Sequence, residues 1–129
     1  MPKPYILIVD DDPVNHLVLQ LILEDDFEEW AVNNGQECLQ SLHKRIPDLI
    51  LMDIEMPVLN GIEACKKIRA NKHTLHIPII FISSRFKEKD IQCCFYAGGN
   101  AHFTKPVNKK KLIQRINLLL GKQPNLAIT

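Results

Sequence analysis

Four apolar segments of the chain end on side chains that can bind cations or anions. These end residues are Asp10 with Asp11, Asp53, Ser83 with Ser84, and Lys105. A lone polar residue at such a position usually marks only the point where a strand enters solvent. Carboxylate, hydroxyl and ammonium groups together can hold a metal ion and a phosphoryl group. If the fold brings the four ends together, the chemistry to expect is phosphoryl transfer.

The carboxylates among these residues call for a cation. Asp10, Asp11 and Asp53 would repel one another at close range, and one pKa would rise unless a cation were present. Mg²⁺ suits such a site because it prefers oxygen ligands, usually takes one or two carboxylates and leaves positions for water and phosphate. Asp12 has a different interpretation, since Asp followed by Pro13 is a typical N-cap and first residue of a helix.

The elements that carry these residues alternate along the chain. Several of the strand candidates are nearly continuously apolar, as is typical of parallel strands covered on both faces. The five candidates are "YILIVD" (5–10), "EWAVN" (29–33), "DLILMD" (48–53), "IPIIFIS" (77–83) and "AHFTK" (101–105). Their alternation with helical segments predicts a doubly wound α/β domain with one parallel sheet. Ligands of such folds bind at the carboxyl ends of the strands.

Helical periodicity separates and follows the strand candidates. The first helix shows the i, i+3, i+4, i+7, i+8 spacing of an amphipathic helix at Val14, Leu17, Val18, Leu21 and Ile22. The last helix repeats this spacing at Leu112, Ile116, Leu119 and Leu120. Residues 36–45, 61–70 and 87–97 are less regular helix candidates.

Composition indicates a single small globular domain. The chain has 129 residues, 46% of them hydrophobic, and a formal net charge of +1. Nothing global therefore favours nucleic-acid or membrane binding. No apolar run approaches the roughly 20 residues of a membrane span, and the four cysteines lack CxxC spacing. We expect a cytoplasmic protein with reduced thiols, a domain over residues 1–122 and a short tail at 123–129.

Four motifs in this order give the chain a specific resemblance to a known family. "ILIVDDDPVN", "PDLILMDIEMPVLNGIEACKKIR", "IPIIFISS" and "AGGNAHFTKPV" resemble the receiver domain of two-component response regulators, of the chemotaxis-regulator type. The resemblance covers nearly the whole chain. It implies a flavodoxin-like fold with five helices and a five-stranded parallel sheet in the order 2-1-3-4-5.

The resemblance also implies a phosphoacceptor function. Asp53 would take a phosphoryl group from a phosphohistidine of a histidine kinase or a histidine phosphotransfer protein. Asp10 and Asp11 would hold Mg²⁺ or Mn²⁺, with Asp53 and the backbone carbonyl of Glu55 as further ligands. Such a protein is a signalling switch rather than an enzyme, because it catalyses only its own phosphorylation and dephosphorylation.

The strand-end hydroxyl and ammonium take roles from the same resemblance. Ser83 would hydrogen-bond the phosphoryl group, and Lys105 would pair with it, before a cis bond to Pro106. Three residues before the lysine, the family usually has Tyr or Phe, a ring that moves inward on phosphorylation. This chain has His102 there and Phe103 next to it. His102 is interpreted equally well as a polar residue at the strand end and as a pH-sensitive switch element.

Other positions near the site carry charge. Glu55 follows Asp53 by two residues and Arg85 follows Ser83 by two, next to Ser84. In the family these positions modulate dephosphorylation. We hypothesise that Glu55 and Arg85 pair across the mouth of the site and restrict the access of water, with little effect on stability.

Surface patterns give weaker indications. The chain has no Asp or Glu after Lys105, and its basic residues there are Lys109, Lys110, Lys111, Arg115 and Lys122. A solvated helix face is the simpler interpretation, and a docking site for an acidic partner is the other. The resemblance places the family's output surface, formed by helix 4, strand 5 and helix 5, next to these residues. The exposed side of helix 1, with Asn15 and His16, is where such domains meet the phosphodonor. The "HTLH" of residues 73–76 has HxxH spacing, but no third ligand is nearby.

Three other functions share parts of this pattern. A haloacid-dehalogenase-like phosphatase would use Asp10 as nucleophile and Asp12 as general acid, but it needs a further acidic pair after the lysine, which this chain lacks. A flavodoxin-like cofactor binder needs a phosphate loop rich in Ser, Thr and Gly, where this chain has three aspartates. A non-phosphorylated receiver-like binding module is disfavoured because every catalytic position is filled.

Overall fold

Strands and helices alternate through the computed structural model, which describes residues 2–85 and 87–121. The strands of this part are β1 (Tyr5–Val9), β2 (Glu28–Val32), β3 (Leu49–Met52), β4 (Ile79–Ser83) and β5 (Ala101–Thr104). The helices are α1 (Pro13–Leu23), α2 (Gly35–Leu42), α3 (Gly61–Arg69), α4 (Glu88–Tyr96) and α5 (Lys109–Leu119). All strand pairs are parallel, in the order β2-β1-β3-β4-β5. The predicted doubly wound architecture is confirmed.

Two apolar cores cover the two faces of the sheet. Every residue of β1, β3 and β4 is buried, which explains why these strands are continuously apolar. On one face Ile50 and Phe81 pack with residues of α2, α3 and α4. On the other face Ile8 and Leu51 pack with residues of α1 and α5. Burial of one such side chain contributes about 1.5–3 kcal/mol, so the cores fix the strand ends firmly.

Oxygen-bearing side chains begin four of the helices in the described part of the chain. Asp12, Asn34, Asn60 and Asn108 each accept a hydrogen bond from a backbone N–H of the first helical turn. Loss of such a cap costs about 1 kcal/mol. Asp12 accepts from the Val14 N–H, with Pro13 as first helical residue, so the predicted N-cap is confirmed.

The apolar stripe predicted for helix 1 does not face the core. Val14, Leu17, Val18 and Leu21 are exposed, and Ile22 is only half-buried. The residues of α1 that are fully buried against the sheet are Leu19 and Leu23. Periodicity shows that a helix has an apolar side, but this helix is apolar on two sides, and the sheet covers only one.

Other predicted boundaries differ by a few residues from those observed. The helix predicted at 36–45 ends at Leu42, where His43, Lys44 and Arg45 continue only as a turn bonded to the carbonyls of residues 40 and 41. In the described ranges, every helix is too short or too polar to cross a bilayer. Lys122 and the predicted tail at 123–129 lie outside the described residues.

Candidate functional site

The carboxyl ends of β1, β3, β4 and β5 bring the predicted residues into one cleft. Asp10 directly follows β1, Asp53 follows β3, Ser83 ends β4 and Lys105 follows β5. Carboxylate oxygens of Asp10, Asp11 and Asp53 all lie within 4.8 Å of one another. Asp10 and Asp53 are buried and Asp11 is exposed, so the cluster opens to solvent on one side.

Lys105 forms ion pairs with both buried carboxylates. Its Nζ lies 3.0 Å from Asp10 Oδ2 and 3.4 Å from Asp53 Oδ2. Burial acts to lower the pKa of Lys105, but the hydrogen bond to Asp10 and the two carboxylate charges outweigh burial and hold this pKa above its ordinary value.

The pKa of Asp53 is raised, although Lys105 lies beside it. Burial raises the pKa of Asp53, and the nearby charge of Asp10 raises it further. Lys105 and the Ile54 N–H, which donates to Asp53 Oδ1 at 2.8 Å, offset only part of the rise. The cleft therefore holds more negative charge than its ammonium group balances, and a second cation would be stabilised there.

Backbone contacts hold the two buried carboxylates in place. The Asp12 N–H donates to Asp10 Oδ1 at 2.9 Å, and His16 Nε2 bonds to the backbone oxygen of Asp10. Gly61 begins α3 directly beside Asp53, and a Cβ at this glycine would lie 1.9 Å from the Asp53 carbonyl oxygen. Sequence reasoning placed His16 on the exposed side of helix 1, whereas His16 is half-buried and contacts Asp10. Neither this contact nor the close approach of Gly61 to Asp53 was predicted.

Ser83 lies at the base of a short chain of polar contacts. Its Oγ is buried and accepts the Arg85 N–H at 2.9 Å. The Arg85 side chain donates from Nε to Glu55 Oε1 at 2.6 Å and from Nη1 to Asp90 Oδ1 at 3.1 Å. The hydrogen bond from Arg85 and its charge lower the pKa of Glu55. The structure thus brings Glu55 and Arg85 together and links both to α4, while Ser84 is exposed.

His102 and Phe103 lie on opposite faces of the sheet. His102 pairs in register with Phe81, which belongs to the core under α4, and Phe103 pairs with Ile82, which faces α1 and α5. Burial lowers the pKa of His102, and a backbone hydrogen bond with Arg85 partly offsets this effect. Within residues 2–85 and 87–121, buried His102 Nε2 has no hydrogen-bond partner. Of the two neighbouring residues, His102 is therefore the one that lies beside Arg85, and Phe103 lies on the other face of the sheet.

The remaining predicted residues lie around the cleft or away from it. The Lys105–Pro106 peptide bond is cis. Asn15 lines a groove of about 350 Å³ between α1 and the segment after β5, together with Val18 and Val107. Residues 73–76 lie in a turn after α3. In the described part of the chain, the aspartate cluster is the one group of side chains whose geometry could hold a metal ion.

Comparison with known proteins agrees with this geometry. The family of response regulator receiver domains matches residues 6–117. The polar-differentiation response regulator DivK of Brucella anthropi is 33% identical over 122 residues, which are 94% of this chain and 98% of DivK. A crystal structure of a response regulator from Chloroflexus aurantiacus has a TM-score of 0.89 at 29% identity, covering 93% of this chain and 99% of the other.

A second solved structure bears on the acidic cluster. It is the receiver domain of a sensor histidine kinase from Pseudomonas aeruginosa, with a magnesium ion coordinated in the active site cleft. Its TM-score is 0.86 at 30% identity, covering 93% of this chain and 99% of that domain. Some curated relatives are longer, and the chain spans only 50% and 25% of two of them. From its fold, its strand-end residues and these matches, the chain belongs to the response regulator receiver domain family.

Proposed function

We propose that this protein is the phosphoacceptor of a two-component or phosphorelay pathway and that Asp53 takes the phosphoryl group. The observation that carries the proposal is the position of Asp53, a buried carboxylate with a raised pKa, beside two further aspartates and an ammonium group. A carboxylate is a competent covalent acceptor of a phosphoryl group, and the remaining task of the protein is to position the donor and balance charge.

The residues of the cleft fit a magnesium ion. Three carboxylates with oxygens within 4.8 Å of one another supply the hard donors that this ion prefers. Asp10, Asp11 and Asp53 would hold it, with the backbone carbonyl of Glu55 as a further ligand. Bound there, Mg²⁺ would supply positive charge next to the phosphoryl oxygens. Mn²⁺ suits the same oxygen donors.

Asp53, Lys105 and Ser83 would have different roles in the phosphoryl transfer. An oxygen of Asp53 forms a bond to phosphorus while the phosphorus–nitrogen bond of the phosphohistidine breaks, and its electron pair stays on the imidazole. Lys105 Nζ, already 3.4 Å from Asp53 Oδ2, pairs with a phosphoryl oxygen. Ser83 Oγ accepts the Arg85 N–H, so its own hydrogen is free to donate to another phosphoryl oxygen.

The test is covalent labelling with acetyl phosphate and Mg²⁺, followed by intact mass measurement. The wild type should gain one phosphoryl group, and Asp53→Asn should gain none. Asp12→Asn is the matched control, because Asn also caps helices well and Asp12 only begins α1. Label retained in Asp53→Asn would sink the assignment. Loss of label in Asp12→Asn would point instead to the phosphatase-like use of Asp10 and Asp12.

The phosphodonor, a histidine kinase or a histidine phosphotransfer protein, is proposed to dock on α1. The exposed apolar side of this helix borders the groove next to Lys105. Leu17→Asp should slow labelling by a phosphohistidine donor while leaving labelling by acetyl phosphate unchanged. Leu118→Asp, on α5, also replaces an exposed leucine and serves as control. Equal slowing in both variants would contradict the docking site.

The phosphorylated state is proposed to act through Arg85. Movement of Ser83 toward the phosphoryl group would carry Arg85 with it, because the two are hydrogen-bonded, and Arg85 holds Asp90 of α4. His102 lies beside this segment, so the output face would be α4, β5 and α5. Neutralising both Glu55 and Arg85 should shorten the aspartyl-phosphate half-life. An unchanged half-life would refute their role in restricting water.

A further inference from the structure

The outer edge of β2 carries backbone groups that no neighbouring strand uses. Among the described strands, β2 pairs only with β1. The N–H of Glu28 and the carbonyl of Val32 are bonded on the β1 side. In a parallel pair, the backbone N–H and C=O groups of every second residue point to the same edge of the strand. Since those of Glu28 and Val32 point to β1, those of Glu29 and Ala31 point to the open edge. The open edge ends at Asn33, whose N–H is bonded to a side chain of α2.

An exposed tryptophan stands on this edge. Trp30 is 62% exposed, on the face of the sheet that α2 covers. Beside it, a groove of about 430 Å³ runs between β2 and α2, with Tyr5 and Ser41 in its lining. Natural edge strands avoid unwanted pairing by carrying charge, proline or a bulge, and a large exposed aromatic does the opposite. Trp30 is thus suited to contact a partner, as Trp residues at interfaces often do.

The charge around the edge is strongly negative. Five of the six residues from 24 to 29 are acidic, and Glu37 borders the groove. Among the described residues, Glu28 is the member of this run that forms a salt bridge, with Arg45 at 2.6 Å. Lys3, Lys44 and Arg45 do not balance the six carboxylates.

We propose that the β2 edge binds an extended segment of a partner protein that is rich in lysine or arginine, by strand addition. Glu29 and Ala31 offer two N–H and two C=O groups to the added strand. The Glu29 carboxylate faces the basic side chains of that strand on one side of the sheet, and Trp30 offers a ring to its apolar side chains on the other side. A second copy of this chain fits less well, because it would bring its own acidic run to the same edge. The surface lies at the opposite edge of the sheet from β5 and is therefore separate from the proposed output face.

Trp30 is the chain's only tryptophan, so its fluorescence reports on this edge alone. The probe is an alternating lysine–valine heptapeptide, compared with a glutamate–valine peptide and with a lysine–valine peptide N-methylated on alternate amides. The basic peptide should give a saturable change in fluorescence. Loss of backbone hydrogen bonds in the N-methylated peptide should weaken binding about tenfold or more, and the acidic peptide should not bind.

Two variants distinguish specific binding at the β2 edge from non-specific electrostatic attraction. Glu29→Lys should weaken binding of the basic peptide about tenfold, whereas Glu88→Lys, the same charge change on α4, should leave it within about twofold. Trp30→Ala, followed by calorimetry, should abolish detectable binding while its circular dichroism stays that of the wild type. Equal binding of the N-methylated peptide, or equal effects of the two lysine variants, would overturn the proposal. So would a concentration-dependent dimer in sedimentation that Glu29→Lys dissociates, because a second copy would then cover the edge.

Discussion

Replacement of Lys105 by methionine should destabilise the metal-free protein by about 2–3 kcal/mol. Methionine keeps much of the alkyl stem and removes only the ammonium charge. At the 3.0 Å separation from Asp10, Coulomb's law gives about 5.5 kcal/mol at an effective dielectric constant of about 20 and about 1.4 kcal/mol at about 80. The Lys105 side chain is 21% exposed and that of Asp10 only 3%, so the pair lies between these limits.

Magnesium should reduce this deficit. An ion held by the same carboxylates supplies the positive charge that the variant lacks, so the two cations partly compete. If about half of the deficit disappears at saturating Mg²⁺, linkage requires the variant to bind Mg²⁺ about tenfold more tightly than the wild type. The prediction therefore joins two independent measurements, one of stability and one of affinity.

Thermal unfolding in EDTA and in Mg²⁺ tests the first quantity, and calorimetric titration tests the second. In EDTA the melting temperature of Lys105→Met should fall by about 10 °C for a chain of this size. Lys109→Met is the matched control, because Lys109 is exposed at the start of α5. If both variants melt together in EDTA, or if the Lys105→Met deficit is undiminished in Mg²⁺, the electrostatic account of the cleft is wrong.

Three further predictions rest on burial. Asp53→Asn should stabilise the metal-free protein at pH 7, because burial and the charge of Asp10 raise the native pKa of Asp53, so that its ionisation favours the unfolded state. The gain should develop as pH rises from the ordinary value of 3.8 through the raised pKa, and urea unfolding at pH 3.5–8 measures it. Burial raises the pKa of the thiols of Cys38 and Cys94 to about 12 and that of Cys65 to about 11, whereas Cys93 is exposed. A thiol reagent at neutral pH should therefore modify one thiol rapidly in the wild type and none rapidly in Cys93→Ser. Gly61→Ala should lower stability by about 2–3 kcal/mol and should also reduce labelling by acetyl phosphate, because the new Cβ would displace the Asp53 backbone. Ala ordinarily favours a helix over Gly, so an unchanged melting temperature would refute this prediction.

Much of the candidate site follows from the sequence because topology does the positioning. Lys105 and Asp10 are 95 residues apart, yet both follow strands of one parallel sheet, and such strands end at the same edge. The contact of His16 with the Asp10 backbone depends on the angle at which α1 leaves β1, which no residue type specifies. The side of the sheet that His102 occupies depends on the register of β5 against β4, and register is set by packing of the whole sheet.

Helix α1 shows why apolar spacing alone cannot separate a core face from an exposed apolar face. The spacing at Val14, Leu17, Val18 and Leu21 is that of a buried stripe, but Leu19 and Leu23 already supply the side that packs on the sheet. A helix that packs on one sheet needs only one apolar side, so the second apolar side of α1 does not contribute to the core. Such a contiguous exposed surface is typical of binding sites in soluble proteins. The second apolar side is visible in "PVNHLVLQLIL" itself, so the sequence of α1 indicates an exposed apolar face as well as a core face.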